Sequence, residues 1–144
     1  MSPVGRPLAA EPADRSGAPG SPIRALVADD EAPARAKLRR LLAAEPDVEI
    51  VAEAADGEEA VAAIRSQAPD LVFLDIQMPR LDGFGVIEAV GAAAMPAVVF
   101  VTAYDEHALR AFEVHALDYL LKPFAPARLA KVLDRVRGQR RADR

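Results

Sequence analysis

Three apolar runs of strand length each end in a side chain able to do chemistry, and this constrains the fold more than any other feature of the chain. Ile23-Arg24-Ala25-Leu26-Val27-Ala28 runs into Asp29-Asp30, Asp70-Leu71-Val72-Phe73-Leu74 into Asp75, and Ala97-Val98-Val99-Phe100-Val101 into Thr102. A fourth short run, Asp118-Tyr119-Leu120-Leu121, leads into Lys122-Pro123. Segments of helical period stand between the runs, and strands that alternate with helices argue for βαβ units in a parallel sheet. In such a sheet all four polar termini gather at the carboxyl edge, where open α/β sheets bind their ligands.

The helical segments follow from their apolar spacing. One starts near Glu31, takes Pro33 into its opening turn, and stripes Ala34, Leu38, Leu41 and Leu42 along one face until Pro46 ends it. Val48 to Ala54 alternates Val48, Ile50 and Ala52 with Glu49 and Glu53, as suits a strand near a sheet edge. Asp56-Gly57-Glu58-Glu59 opens a second helix with Ala60, Val61 and Ile64 on its stripe. Further helices are expected over residues 84–90, 105–114 and 126–137, the last burying Leu129, Val132, Leu133 and Val136. The sum is about five strands and five helices in strict alternation, in one compact domain over residues 23–137.

The flanks differ in character. Residues 1–22 hold five of the twelve prolines and three of the eight glycines with few large apolar side chains, so they are expected to form a disordered tail. Residues 138–144 are expected to begin a linker. Residues 23–137 carry 13 Lys+Arg against 19 Asp+Glu, a net of −6, which makes this body a poor binder of nucleic-acid phosphates. The chain has no cysteine, which excludes disulfides and thiolate chemistry. Its apolar runs fall short of the roughly 20 residues of a membrane helix, and Arg6 is followed by no secretory h-region. A soluble, cytoplasmic protein is expected.

At the shared edge, Asp29, Asp30 and Asp75 would repel one another unless a cation stood between them. Mg²⁺ suits one or two carboxylates, several waters and phosphate oxygens. The bland alternative for Asp29-Asp30 is an N-cap for the first helix. Thr102 is a strand residue or a hydroxyl donor, and Lys122 a solvated amine or a partner for charge on a transferring phosphoryl group. The Lys122-Pro123 bond is a candidate cis peptide, with an ordinary trans turn as the alternative. Tyr119 is either static packing or a mobile ring. His107 and His115 show no metal spacing and are expected at the surface.

Together Asp29-Asp30-Glu31, Phe73-Leu74-Asp75-Ile76-Gln77-Met78-Pro79, Asp82-Gly83, Val101-Thr102-Ala103 and Tyr119-Leu120-Leu121-Lys122-Pro123-Phe124 resemble the receiver domain of bacterial two-component response regulators. The resemblance implies a flavodoxin-like, doubly wound five-stranded sheet of order 2-1-3-4-5. It implies that Asp75 accepts a phosphoryl group from a sensor histidine kinase, and that Mg²⁺ is held by Asp30 directly, by Asp29 mainly through water, by Asp75 and by the backbone carbonyl of Gln77. Thr102, Lys122 and the backbone of Ala103 would contact the phosphoryl oxygens. Movement of Thr102 would let Tyr119 turn inward and alter the surface formed by the helix expected over residues 105–114, the last strand and the last helix.

Asp30-Glu31-Ala32-Pro33-Ala34-Arg35 and Thr102-Ala103-Tyr104-Asp105-Glu106-His107-Ala108-Leu109-Arg110-Ala111-Phe112-Glu113 further resemble receivers of the LytTR subfamily, whose outputs are DNA-binding domains. A missing C-terminal output domain is therefore expected, with DNA contacted through it and not through this segment. The alternative is a stand-alone receiver acting through protein binding. Homodimerisation through the last helix-strand-helix face is a further expectation, although only part of the ion-pair pattern used there by winged-helix regulators is found: Asp118 is present, but its usual arginine position is Val132, beside Lys131. A turnover phosphohydrolase would need an acid two residues after Asp75, where Gln77 stands, so slow self-dephosphorylation is expected instead. Flavin binding is disfavoured, because no phosphate-cradling loop follows the first strand.

Overall fold

The computed structural model describes residues 21–103, 110 and 113–143. Five strands, β1 (Ile23–Ala28), β2 (Val48–Ala54), β3 (Leu71–Asp75), β4 (Ala97–Thr102) and β5 (Asp118–Leu121), form one sheet in the order β2-β1-β3-β4-β5. Every pairing is parallel. The described α-helices are α1 (Ala32–Leu42), α2 (Gly57–Gln67), α3 (Gly83–Val90) and α4 (Pro126–Ala142), with a single 3-10 turn at Ala92–Ala94. The helix expected over residues 105–114 lies mostly outside the described residues.

Strand alternation separates two cores. Ala25, Val27, Leu71, Phe73, Val99, Val101 and Leu120 face α1 and α4, where Leu38, Leu42, Leu129, Val132, Leu133 and Val136 meet them. Leu26, Ala28, Val72, Leu74, Val98 and Phe100 face α2 and α3, against Ala60, Val61, Ile64, Phe84, Val86 and Ile87. β1, β3 and β4 therefore read as continuous apolar runs because both of their faces are covered.

β2 departs from the alternation expected of it. A register shift opposite Ala25 and Leu26 leaves Val51 unpaired, since Ala25 pairs with Ile50 and Leu26 with Ala52. Such a bulge exchanges the faces of every later side chain. Val48 and Ile50 pack on the α1/α4 side, whereas Ala52 and Ala54 pack on the α2/α3 side. Glu53 consequently turns toward α1, where Arg39 holds its carboxylate at 2.7 and 2.9 Å.

Local signals set the helix starts. Asp56 accepts the Glu59 N–H at 2.8 Å while the Glu59 carboxylate takes the Ala55 N–H at 2.7 Å, a reciprocal cap that opens α2. Asp82 accepts the Gly85 N–H at 2.8 Å and opens α3. α1 is capped differently from the bland expectation: its N-cap is Glu31, with no side-chain cap, and Asp29 lies outside the helix with Oδ1 accepting the Glu31 N–H at 2.9 Å. α4 runs to Ala142, five residues beyond the expected Arg137. Arg137 reaches Asp47 and Glu45, and Arg140 reaches Ser21 and Pro22, so tertiary contacts carry the helix through Gly138.

Candidate functional site

The parallel sheet delivers the ends of β1, β3, β4 and β5 to one edge. Asp75 closes β3 opposite Val101, so Thr102 extends one residue further on the neighbouring strand. Gly83 brings α3 against this edge: its N–H donates to the Ile76 carbonyl at 2.8 Å, and a Cβ there would lie 2.7 Å from the Asp75 carbonyl. Only glycine permits that approach. The Thr102 carbonyl accepts the Lys122 N–H at 2.7 Å, which ties the turn after β5 to the end of β4. The Lys122-Pro123 peptide bond is cis.

Carboxylate oxygens of Asp29, Asp30 and Asp75 all lie within 4.8 Å of one another. Asp29 (1% exposed) and Asp75 (5%) are buried, whereas Asp30 faces solvent. The Lys122 Nζ sits among the acids, 2.8 Å from Asp29 Oδ2, 3.3 Å from Glu31 Oε1 and 3.5 Å from Asp75 Oδ2. Burial, and then the charge of Asp29, push the Asp75 carboxyl up to about 7 against the opposing pull of Lys122. For Lys122 itself, burial works to lower the pKa, but the surrounding Asp29, Asp75 and Glu31 outweigh it and hold the ammonium above its ordinary value.

The donor set fits a hard divalent cation. All the ligands offered are carboxylate oxygens, and Asp29 Oδ2 is buried without a hydrogen-bond partner, facing the ammonium as an ion pair. The exposed Asp30 leaves one side of the cluster open to water, as an ion that keeps part of its hydration shell requires.

The other expected site residues are placed as follows. Thr102 is fully buried at this edge and Ala103 is exposed just beyond it. Gln77 lies exposed in the turn after β3, its N–H donating to Asp75 Oδ1 at 3.3 Å. Tyr119 pairs with Phe100, two residues before Leu121 pairs with Thr102, so the ring and the hydroxyl share a sheet face. The Tyr119 ring is half-buried against the α2/α3-side core. His115 is exposed, and His107 lies outside the described residues. Asp118 is held by Arg128 at 2.9 Å, with Arg135 at 3.7 Å, one turn to either side of the fully buried Val132. Glu31, on Lys122, and Arg35, whose Nη1 donates to the Asp29 carbonyl at 2.6 Å, join the site although the sequence motifs that contain them assigned neither a role there. Alternation marks a strand's end; it does not mark how far an exposed side chain reaches. An apolar hollow of about 410 Å³ opens beside Lys122, lined by Ala34, Lys37, Leu38, Pro123 and Phe124.

A doubly wound parallel sheet with two buried acids, an exposed third and an ammonium at its carboxyl edge defines a class of α/β proteins built to handle phosphoryl groups with a cation. Within that class, residues 25–134 match the response regulator receiver domain, and the chain belongs to that family. It is 54% identical over 114 residues to an uncharacterized response regulatory protein of Yersinia pestis, covering 79% of this chain and 48% of that one. To the transcriptional regulatory protein BtsR of Salmonella typhi it is 48% identical over 118 residues, covering 82% of this chain and 49% of BtsR. The chain thus spans about half the length of these relatives. Among solved structures it resembles a chain of the CheX-CheY-BeF3-Mg²⁺ complex of Borrelia burgdorferi, with a TM-score of 0.70 and 30% identity over 81% of this chain and 88% of that one. The flavodoxin-like order 2-1-3-4-5 is therefore that of a receiver domain from a two-component response regulator. Receivers accept phosphoryl groups; they are not turnover enzymes. Among the described residues no helix is long and apolar enough to cross a membrane.

Proposed function

We propose that Asp75 is the phosphoacceptor of this receiver, a cytoplasmic protein that takes its phosphoryl group from a phosphohistidine of a sensor histidine kinase. The observation that carries this is the convergence of Asp29, Asp30 and Asp75 within 4.8 Å around one buried, raised carboxyl. An Asp75 carboxylate oxygen attacks phosphorus, the P–N bond to imidazole breaks as the P–O bond forms, and the imidazole leaves neutral, keeping the proton already on its other ring nitrogen. Bound Mg²⁺ supplies charge neutralisation for the phosphoryl oxygens. Asp30, Asp75 and the Gln77 carbonyl would hold it directly and Asp29 mainly through water. Lys122 exchanges its ion pair with Asp29 for a phosphoryl oxygen, and Thr102 and the Ala103 backbone contact the others. The amide of Gln77 cannot act as a general acid or base, so hydrolysis of the acyl phosphate is slow.

The switch uses the shared face of Thr102 and Tyr119: a hydroxyl drawn toward the phosphate vacates room for the ring to turn fully inward. Asp118, already paired with Arg128 of its own chain, marks the strand-helix surface that this would alter and through which a homodimer would form. Identity to a transcriptional regulator of about twice the matched length supports an output that binds DNA, and the motifs at Asp30–Arg35 and Thr102–Glu113 favour a LytTR-type module. Incubation with acetyl phosphate and Mg²⁺ should give one phosphoryl adduct by mass spectrometry, lost with EDTA and in Asp75→Asn. An adduct that persists in Asp75→Asn would overturn the assignment.

A further inference from the structure

We propose that Arg35 is a positioning residue for the divalent-cation site, anchored by Glu53 and acting on the Asp29–Asp30 peptide without touching the ion. The proposal rests on the acid trio being that cation site.

Asp29 has four polar groups, three held by hydrogen bonds and the fourth by an ion pair. Its N–H donates to the Ala54 carbonyl at 2.9 Å, its Oδ1 accepts the Glu31 N–H at 2.9 Å, and its carbonyl accepts Arg35 Nη1 at 2.6 Å. The fourth, Oδ2, faces the cluster as the ion-pair partner of Lys122 Nζ at 2.8 Å. Because the Asp29 carbonyl belongs to the peptide that leads into Asp30, the guanidinium fixes the direction in which the next carboxylate leaves the chain. A charge-assisted bond of this kind is among the stronger protein hydrogen bonds. Arg35 Nε lies 3.5 Å from Glu53 Oε1, and Arg39 holds the same carboxylate at 2.7 and 2.9 Å, so α1 and the end of β2 form a brace behind the acidic loop. The brace exists because the bulge at Val51 turns Glu53 to the α1 face. A regular strand would have sent it to the α2 side, and Arg35 would have lost its anchor.

Groups that orient metal ligands without binding the ion typically change affinity by about 10- to 100-fold when removed. Mg²⁺ titration of the full chain by calorimetry should show Arg35→Ala weakened by about tenfold or more. Arg35→Lys should lie between it and the wild type, since an ammonium supplies a point charge without the planar fork. Glu53→Gln should weaken binding less than Arg35→Ala. At saturating Mg²⁺ the rate of phosphorylation by acetyl phosphate should return to the wild-type value in all three. Arg35→Ala binding Mg²⁺ within a factor of two of wild type would overturn the proposal, as would a rate that stays low at saturation. If Arg35→Ala does not fold, as read by melting in EDTA, the lysine and Glu53→Gln variants carry the same test. A wild type that binds no Mg²⁺ would overturn the cation site itself, whereas equal binding by wild type and variants would sink only the role of Arg35.

Discussion

At Asp75 the same burial that would prepare the proposed phosphoacceptor also costs the folded chain stability. A carboxyl raised to about 7 in the folded protein from its ordinary 3.8 holds its proton more tightly folded than unfolded. Its contribution to stability is therefore full below 3.8 and is lost as pH rises through about 7. An amide at the position has no proton to lose. In EDTA, the stability of Asp75→Asn relative to wild type should rise between about pH 5 and about pH 8; urea unfolding at both values measures it, and a difference that stays constant would contradict the raised carboxyl. Adding Mg²⁺ at the higher pH should restore the wild type preferentially, because a cation that binds only the folded state stabilises it by mass action. Asp29, Asp30, Asp75, Thr102 and Lys122 were legible because each follows an apolar run, so topology alone predicts their meeting. Glu31 and Arg35 were not, because their roles depend on the reach of side chains that alternation leaves as surface.

Among the elements, the central strands and the buried stripe of α4 could be read directly, since burial on both faces or on one stripe writes itself into hydrophobic period. β2 could not: Val51 fits either face, and the bulge is decided by pairing with β1, which no local pattern states. The C-terminal end of α4 escaped for a related reason. Gly138 reads as a helix stop, yet α4 continues through it to Ala142. The helix therefore bears the entropic penalty of an interior glycine. A Cβ at Gly138 would meet nothing closer than Arg141 Nη2 at 3.9 Å, so the site has room for alanine. Gly138→Ala should stabilise the protein by about 0.5–1 kcal/mol in chemical denaturation. A destabilised variant would mean that this turn is not helical in solution.

Over the whole molecule, the site and the joined ends of the folded domain occupy opposite poles of the sheet. Asp75, Thr102 and Lys122 lie at the carboxyl ends of the strands, while Ser21 and Pro22 enter β1 at the other pole beneath the last turns of α4. Arg140 donates to the Ser21 carbonyl at 2.9 Å, the Ser21 hydroxyl at 2.8 Å and the Pro22 carbonyl at 3.1 Å, joining the start of the fold to its last helix. Arg137 sits beside it, with its pKa held above its ordinary value first by the hydrogen bond to Asp47 and then by Glu45. This clamp ties the last turns of α4 to the amino end of the sheet, on which Leu129, Val132, Leu133 and Val136 already pack the helix. Arg140→Ala removes the guanidinium and leaves two backbone carbonyls to water, which should cost about 1–2 kcal/mol. The loss should appear as faster amide hydrogen exchange around Ile23 and Arg24, with local opening confined to that pole. Mg²⁺ affinity should not change, because substitutions at separated sites without shared partners act additively. Weakened Mg²⁺ binding in Arg140→Ala would instead show that the two poles are already coupled in the unphosphorylated domain.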